Sequence, residues 1–304
     1  MHEIRDPSLQ RLLDDALRIP VQRYVSAYLG RAWQVTRAQD LIDLASHPAA
    51  ILSDGSYAIF VKLGEGSLAA DQFSRELAGL RYLTDHAGVL TPACIGTVQL
   101  GDAVLLILEA VQVVARAHEH WRRMGRALAQ IHRVKSDRYG FGSHCYWGSL
   151  FQDNSPSADW VAFFRERRLA PRLKAAVDSG HLPLDVAPLV ERLGTRLPDL
   201  CGPQVEPSLL HGDAHQNNFL STAQGPVLID PAVHYGHPEM DLAFVDFFAP
   251  VPEEFFHGYR ELAPVDPGFA ERRDLWRIPA WLAMVEVDGP QHMGDLMAAL
   301  RRYG

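Results

Sequence analysis

The sequence predicts an α+β protein, a small antiparallel-sheet lobe followed by a mostly helical one. Three observations carry that prediction. In residues 1–110, β-prone runs turn at Asp54-Gly55 and Gly101-Asp102, with one amphipathic helix between them. In residues 111–304, apolar residues recur at helical spacing. The most polar motifs sit between two short β-prone runs of that second part. A chain of 304 residues suits this division, since a domain typically takes ~100–200 residues. We expect an N-lobe over 1–110 and a C-lobe over 111–304, with the boundary at 108–113.

The elements follow in order. Asp6 and Pro7 predict a helix start, with Leu9, Leu12, Leu13, Ala16 and Leu17 on one face. The runs 50–53 and 57–62 flank Asp54-Gly55, a pair that accepts the positive φ of a tight hairpin turn. A helix is predicted over 67–84, burying Phe73, Leu77 and Leu80, and a second hairpin over 97–108. Sheet plus one covering helix is the expected layer arrangement. Helices are then predicted over 118–132, 158–168, 184–193, 238–248 and 272–285. The runs 208–210 and 227–229 are expected to form one small β-hairpin.

Composition narrows the function. The net charge is −8, and no basic stripe of the kind that binds nucleic acid is visible. No apolar stretch approaches the ~20 residues of a membrane helix, and no secretory signal is seen at the start. Three cysteines, Cys94, Cys145 and Cys201, are too few and too scattered for a disulfide framework or a CxxC metal site. A reducing cytoplasm is the expected location, and a small molecule the expected partner.

The chemistry is concentrated in His211-Gly-Asp213-Ala-His-Gln-Asn-Asn218 and Val227-Leu-Ile-Asp230. Asp213 and Asn218 have the spacing of the protein-kinase catalytic loop, where the Asp faces the substrate hydroxyl and the Asn a metal. Asp230 ends an apolar β-run, where a kinase keeps its second metal-binding Asp. Phosphoryl transfer needs hard oxygen ligands for Mg²⁺ and one carboxylate aimed at the attacking hydroxyl. Asp and Asn are also common turn residues; three groups in register favour the chemical reading. Upstream, Lys62 ends an apolar strand and Glu76 sits at the edge of the next helix's buried face. A snorkelling lysine and a solvated glutamate would look the same singly. Their order and spacing instead match the phosphate-holding lysine and its helix glutamate. Glu109-Ala-Val111 would be the hinge whose backbone meets adenine. No glycine-rich loop precedes Lys62; at its place stands Leu44-Ala-Ser46-His47-Pro48, where the Ser46 and His47 N–H groups could face phosphate.

On these residues the chain resembles the fructosamine/ketosamine kinases, within the aminoglycoside-phosphotransferase and choline-kinase group of protein-kinase-like enzymes. Leu128-Ala-Gln-Ile-His132, Tyr139-Gly-Phe-Gly142, Gln152-Asp-Asn154, Trp160-Val-Ala-Phe-Phe164, Leu209-Leu-His-Gly-Asp213, Ile229-Asp-Pro-Ala232, Tyr235-Gly-His-Pro-Glu239 and Asp241-Leu-Ala243 fall in the family's order. The resemblance implies a bilobal kinase fold and ATP-dependent phosphorylation of a hydroxyl on a sugar-like acceptor, a fructosamine or ribulosamine first and an aminoglycoside or nucleoside antibiotic second. It implies Asp213 as catalytic base, Asn218 and Asp230 as Mg²⁺ ligands, and Lys62 with Glu76 as the phosphate-holding pair. Asp241, with His211, would brace the catalytic loop. His215 stands where these kinases carry a Trp against the sugar. An imidazole that becomes cationic below about pH 6.5 would favour a polar or anionic acceptor feature.

Two other readings compete. His211, Asp213, His215, His234 and His237 could form the cluster of a metal-dependent hydrolase, which would leave Lys62, Glu76 and Asn218 without a role. A non-catalytic pseudokinase would explain the glycine-free loop. Pro231-Ala232 in place of Phe-Gly argues against a phosphorylation-controlled activation loop. Trp147, Trp160, Trp276 and Trp281 are expected to be mainly core.

Overall fold

The computed structural model describes residues 11–41 and 47–303. Helix α1 (Asp15–Leu29) precedes β1 (Arg37–Asp40), β2 (Ala49–Ser53) and β3 (Ala58–Glu65). Helix α2 (Ala69–Ala87) and the hairpin β4 (Cys94–Leu100) and β5 (Ala103–Glu109) come next. The strands form one sheet in the order β1-β2-β3-β5-β4, antiparallel throughout. Residues 6–10 of the expected opening helix lie outside the described residues. Arg11 and Leu12 are helical as expected, but the chain turns at Leu13-Asp14, so the expected stripe is split. Helix α1 is a separate helix capped at Asp14, whose carboxylate accepts from the Ala16 N–H, and runs on to Leu29 through Pro20. Ala16, expected on its apolar face, is exposed. Strand β1 has no apolar alternation to announce it; Arg37 to Asp40 is held by pairing with β2.

Side-chain alternation along β3 decides where Lys62 goes. Ile59, Val61 and Leu63 face α1, joining Val21, Val25 and Trp33 in one apolar layer. Phe60 packs on the other face, with Phe73, Leu77 and Leu80 of α2. Lys62 shares that second face and is 2% exposed. A lysine beneath a helix needs a charge partner there, which sets up the site.

The remaining chain is largely helical: α3 (His118–His132), α4 (Trp160–Phe163), α5 (Ala170–Asp178), α6 (Ala187–Leu200), α7 (Glu239–Phe244), α8 (Glu253–Arg260), α9 (Phe269–Asp288) and α10 (Met293–Tyr303). A π-helical turn, Phe164–Leu169, joins α4 to α5, so the helix expected to stop at 168 continues. Helix α7 is shorter than expected because 245–248 turn away from the helix axis. One large core unites these helices, with Trp160 and Trp276 inside it.

The expected single hairpin is corrected. Strand β8 (Ser208–Leu210) pairs with β11 (His234–Gly236), while β9 (Phe219–Ser221) pairs with β10 (Pro226–Leu228). Two nested ribbons therefore hold the polar motifs, and a third, β6 (Cys145–Trp147) with β7 (Leu150–Gln152), lies beside them. The first ribbon fixes His211 just after β8, and the second brings Asn218 and Asp230 together at its open end, where the Ile229 N–H donates to the Asn218 carbonyl. No helix among the described residues is long and apolar enough to cross a membrane. All three cysteines are free.

Candidate active site

The Lys62 Nζ donates to Glu76 Oε1 at 3.0 Å and Oε2 at 3.1 Å, and to Asp230 Oδ1 at 2.9 Å. Sheet, helix and β-ribbon thus converge on one ammonium. Burial works against its charge, but the two carboxylates win and hold the proton more firmly than an ordinary lysine does. Burial pushes Glu76 up to about 7, with Asp230 repelling it further. Burial also opposes ionisation of Asp230, yet the nearer Lys62 charge keeps that carboxyl below the usual range. The cluster therefore holds Asp230 as the ionised member. Asp230 has φ +51°, a left-handed conformation rare outside glycine. That backbone turn swings its carboxylate from the end of β10 toward Lys62. Behind it, Pro231 sits against Gly79 of α2, where any side chain would come within 3.2 Å of the proline ring.

Asp213 lines the same site, close enough to feel the Asp230 charge. The Asn218 Nδ2 donates to its backbone oxygen at 2.8 Å and to Oδ2 at 3.2 Å. That orients the Asn218 amide and leaves its Oδ1 as a carbonyl donor for a cation. Burial, then the nearby Asp230 charge, push the Asp213 carboxyl up to about 8. In the ligand-free protein that carboxyl is mostly protonated at neutral pH, and it becomes a proton acceptor once ionised.

The loop carrying Asp213 is braced from beneath. Asp241 Oδ2 accepts from the His211 N–H at 2.7 Å, and Oδ1 from the Gly212 N–H at 3.0 Å. His132 Nε2 reaches the same carboxylate at 3.1 Å, and its Nδ1 meets the Tyr259 hydroxyl at 2.7 Å. Burial would disfavour the Asp241 charge, but these hydrogen bonds outweigh it and hold the carboxyl below its usual range. His211 Nε2 donates to the Ile229 carbonyl at 3.0 Å, tying the two ribbons together. Gly212 has φ +81°, and a Cβ there would lie 2.0 Å from the Ala232 oxygen, so only glycine fits. Trp147 donates to the Gly212 carbonyl at 2.7 Å.

Lys62, Glu76, Asp213, Asn218 and Asp230 line one cavity of about 230 Å³, together with His47 and Arg75. Ser46 lies outside the described residues. His47 stands at the mouth, edge-on to Phe73 at 5.4 Å between ring centres. At the expected hinge, the Glu109 N–H is taken by the Ala93 carbonyl and the Ala110 N–H by that of Ala58. Among the described residues, Val111 is the first past β5 whose N–H has no backbone acceptor. Within the expected hinge, Val111 therefore offers the open N–H donor, and Glu109 has only its carbonyl to give. His215 also departs from expectation. Burial, then the neighbouring His211, lower it to about 4, so it stays a neutral imidazole well below the pH 6.5 at which it was expected to become a cation. The hydrolase reading fails as well. Among the described residues no group of three or more His, Cys, Asp or Glu side chains is placed to hold a metal. His234 and His237 are instead buried in the core, where desolvation keeps them uncharged.

Residues 19–303 match the sequence profile of the fructosamine kinase family. The chain belongs to that family. It is similar to a probable ketoamine kinase of Synechocystis sp., 30% identical over 85% of this chain and 87% of that one. It is also similar to the chloroplastic protein-ribulosamine 3-kinase of Arabidopsis thaliana, 30% identical over 90% of this chain and 84% of the relative. A solved fructosamine-3-kinase candidate from Thermobifida fusca superposes with a TM-score of 0.82 at 28% identity, covering 93% and 98% of the two chains. Aminoglycoside phosphotransferase APH(4)-Ia superposes at 0.60 with 16% identity over 92% and 96%, a likeness of fold alone. Within the fructosamine kinase family this chain is an ATP-dependent phosphotransferase of protein-kinase-like, bilobal fold.

Sequence reasoning missed His132, which completes the Asp241 brace, and Tyr146, whose hydroxyl donates to Asp71 of α2 at 2.8 Å. The signal for His132 was present: a histidine closing an otherwise apolar helix stripe of Met124, Leu128 and Ile131.

Proposed function

We propose that this ketosamine kinase transfers the ATP γ-phosphoryl group to an acceptor hydroxyl placed at Asp213, with Lys62 and Glu76 on the phosphate side. The carrying observation is the convergence of Lys62, Glu76 and Asp230 in a cavity that Asp213 and Asn218 also line. Asp213 orients the hydroxyl and takes its proton. Lys62 holds phosphate oxygens, and Glu76 keeps Lys62 in place. Asn218 Oδ1 and the Asp230 carboxylate are hard oxygen donors facing one space, a set that suits Mg²⁺ completed by phosphate oxygens and water. When bound, that ion neutralises charge between the phosphates. Val111 offers its N–H to the adenine. Asp241 and His211 hold the loop beneath Asp213. We assign 1–110 to the nucleotide lobe and 111–304 to the catalytic lobe. The three free cysteines support a reducing, cytoplasmic setting.

The acceptor is a ketosamine, and an antibiotic acceptor is not favoured. The test is an ADP-release assay that sets fructosyl- and ribulosyl-lysine against aminoglycosides and nucleosides, run with and without Mg²⁺. Mg²⁺-dependent turnover of a ketosamine, lost in Asp213→Asn, is expected. Full activity in Asp213→Asn, or in metal-free buffer, would overturn the assignment.

A further inference from the structure

A second cavity, of about 210 Å³, opens on the far side of Asp213. Gly148, Asp213 and His215 line both cavities, so the two are continuous at the catalytic carboxylate. Their chemistry is opposite. The first holds a lysine, an arginine and three carboxylates. The second is walled by Trp147, Phe244, Phe247 and Phe248 on one side and by a stripe of α9 on the other.

That stripe is Ala280, Ala283, Met284 and Val287, the i, i+3, i+4, i+7 spacing of one helix face. The two alanines are short enough to leave a trough between α9 and the rings. The rings are fixed by one another. Phe247 stacks on Phe244 at 5.1 Å and packs on Trp281 at 4.2 Å. Phe248 stands edge-on to His215 at 5.0 Å. No lysine or arginine lines this trough, and its carboxylates are Asp213 at one end and Asp288 at the other.

The reacting hydroxyl lies at Asp213 with the phosphates toward Lys62, so the trough is left for the remainder of the acceptor. Sugar hydroxyls would meet phenyl, methyl and thioether surface there, and a buried polar group without a partner is costly. A carboxylate would face two acids and no cation. An apolar group would be covered on both sides. Building on the ketosamine-kinase reading, we propose that the trough receives an uncharged aromatic or branched aliphatic substituent on the ketosamine nitrogen. The preferred acceptors are then small ketosamines of apolar amines, and a carboxylate beside the nitrogen is rejected.

The experiment compares kcat/KM for the fructosamines of methylamine, glycine, benzylamine and isoamylamine, by ADP release. Benzyl and isoamyl acceptors should exceed the glycine acceptor by about tenfold or more, the usual discrimination of an apolar pocket. Val287 is exposed at the trough rim, so Val287→Arg should fold and bring a cation to it. That variant should raise kcat/KM for the glycine acceptor several-fold and narrow the gap. Methylamine fructosamine turned over with all four acceptors within about twofold of each other would overturn the trough assignment and leave the ketosamine reading standing. An unaltered ranking in Val287→Arg would also overturn it. Turnover of none of the four would instead remove the ketosamine reading, and the trough assignment with it.

Discussion

The catalytic loop and the acceptor trough meet at Asp213 but are built differently. Beneath the loop, nearly every polar group is spoken for: Asp241 binds two consecutive backbone N–H groups and His132, and His211 reaches across to Ile229. Gly212 is held where no other residue fits. The trough has no comparable network. Its rings rest on each other, and Phe248 and Val287 are more than half exposed. The difference separates two tasks. Proton transfer and phosphate alignment tolerate little displacement and call for hydrogen bonds of fixed direction. Acceptor choice can rest on non-directional apolar contact, which permits change without disturbing the chemistry.

The largest expected effect comes from the point where the two regions touch. Asp213→Asn should lower kcat by about 10²–10⁴-fold while leaving ATP affinity intact. The same change should stabilise the ligand-free protein. The folded chain keeps the Asp213 proton up to about pH 8, whereas an unfolded aspartic acid loses it near pH 4. Ionisation therefore opposes folding: the penalty is absent below about pH 4, grows as pH rises, and levels off above about pH 8. Thermal unfolding at pH 5 and pH 8.5 should show the Asn variant gaining more at the higher pH. An equal gain at both would mean that Asp213 ionises normally.

Next comes the phosphate wall. Lys62→Ala leaves Glu76 and Asp230 facing each other without a cation. Breaking a buried pair this way costs about 3–5 kcal/mol. Adding Glu76→Gln should recover part of that stability but none of the nucleotide-dependent rate. If denaturant titration shows no recovery, the carboxylates do not share the strain. At Asp230 the left-handed backbone makes Asn a gentler replacement than Ala, so Asp230→Asn should stay folded and lose turnover.

Third, Asp241→Asn tests whether the brace acts only on the loop. It turns an amide N–H toward groups that already donate, a loss of about 1–3 kcal/mol. We expect kcat to fall with the KM for ATP little changed. A raised KM for ATP with normal kcat would show that the brace reaches the nucleotide wall instead.

The smallest effect should come from His215→Trp, which alters the trough's entrance and not the brace. It should reorder acceptors by a few-fold. Because His215 is lowered to about 4, the ranking of acceptors by the parent enzyme should be flat between pH 6 and 8. A ranking that shifts with a midpoint near pH 6.5 would mean a solvated imidazole.

The two-lobe order, the N-lobe hairpins, the 118–132 helix and the grouping of Asp213, Asn218 and Asp230 in one cavity were legible in the sequence. Each is carried by local signals: turn chemistry at Asp54-Gly55, a helical apolar stripe, and fixed spacing within one short stretch of chain. The tertiary structure alone decided what depends on distant neighbours. Strand β1 exists because β2 pairs with it, and β8 joins β11 rather than β10 because pairing free energy is not written in either strand. The His132 link to Asp241 joins residues 109 apart in the chain, and Lys62 meets Asp230 across 168. Charge states obeyed the same rule. His215, which would ordinarily take up a proton below about pH 6.5, resists it here down to about 4 because burial strips away the water that would solvate its charge. The trough was hidden for a similar reason: nothing in the local sequence tells that Phe247 and Phe248 meet the α9 stripe, a meeting that the tertiary fold alone brings about.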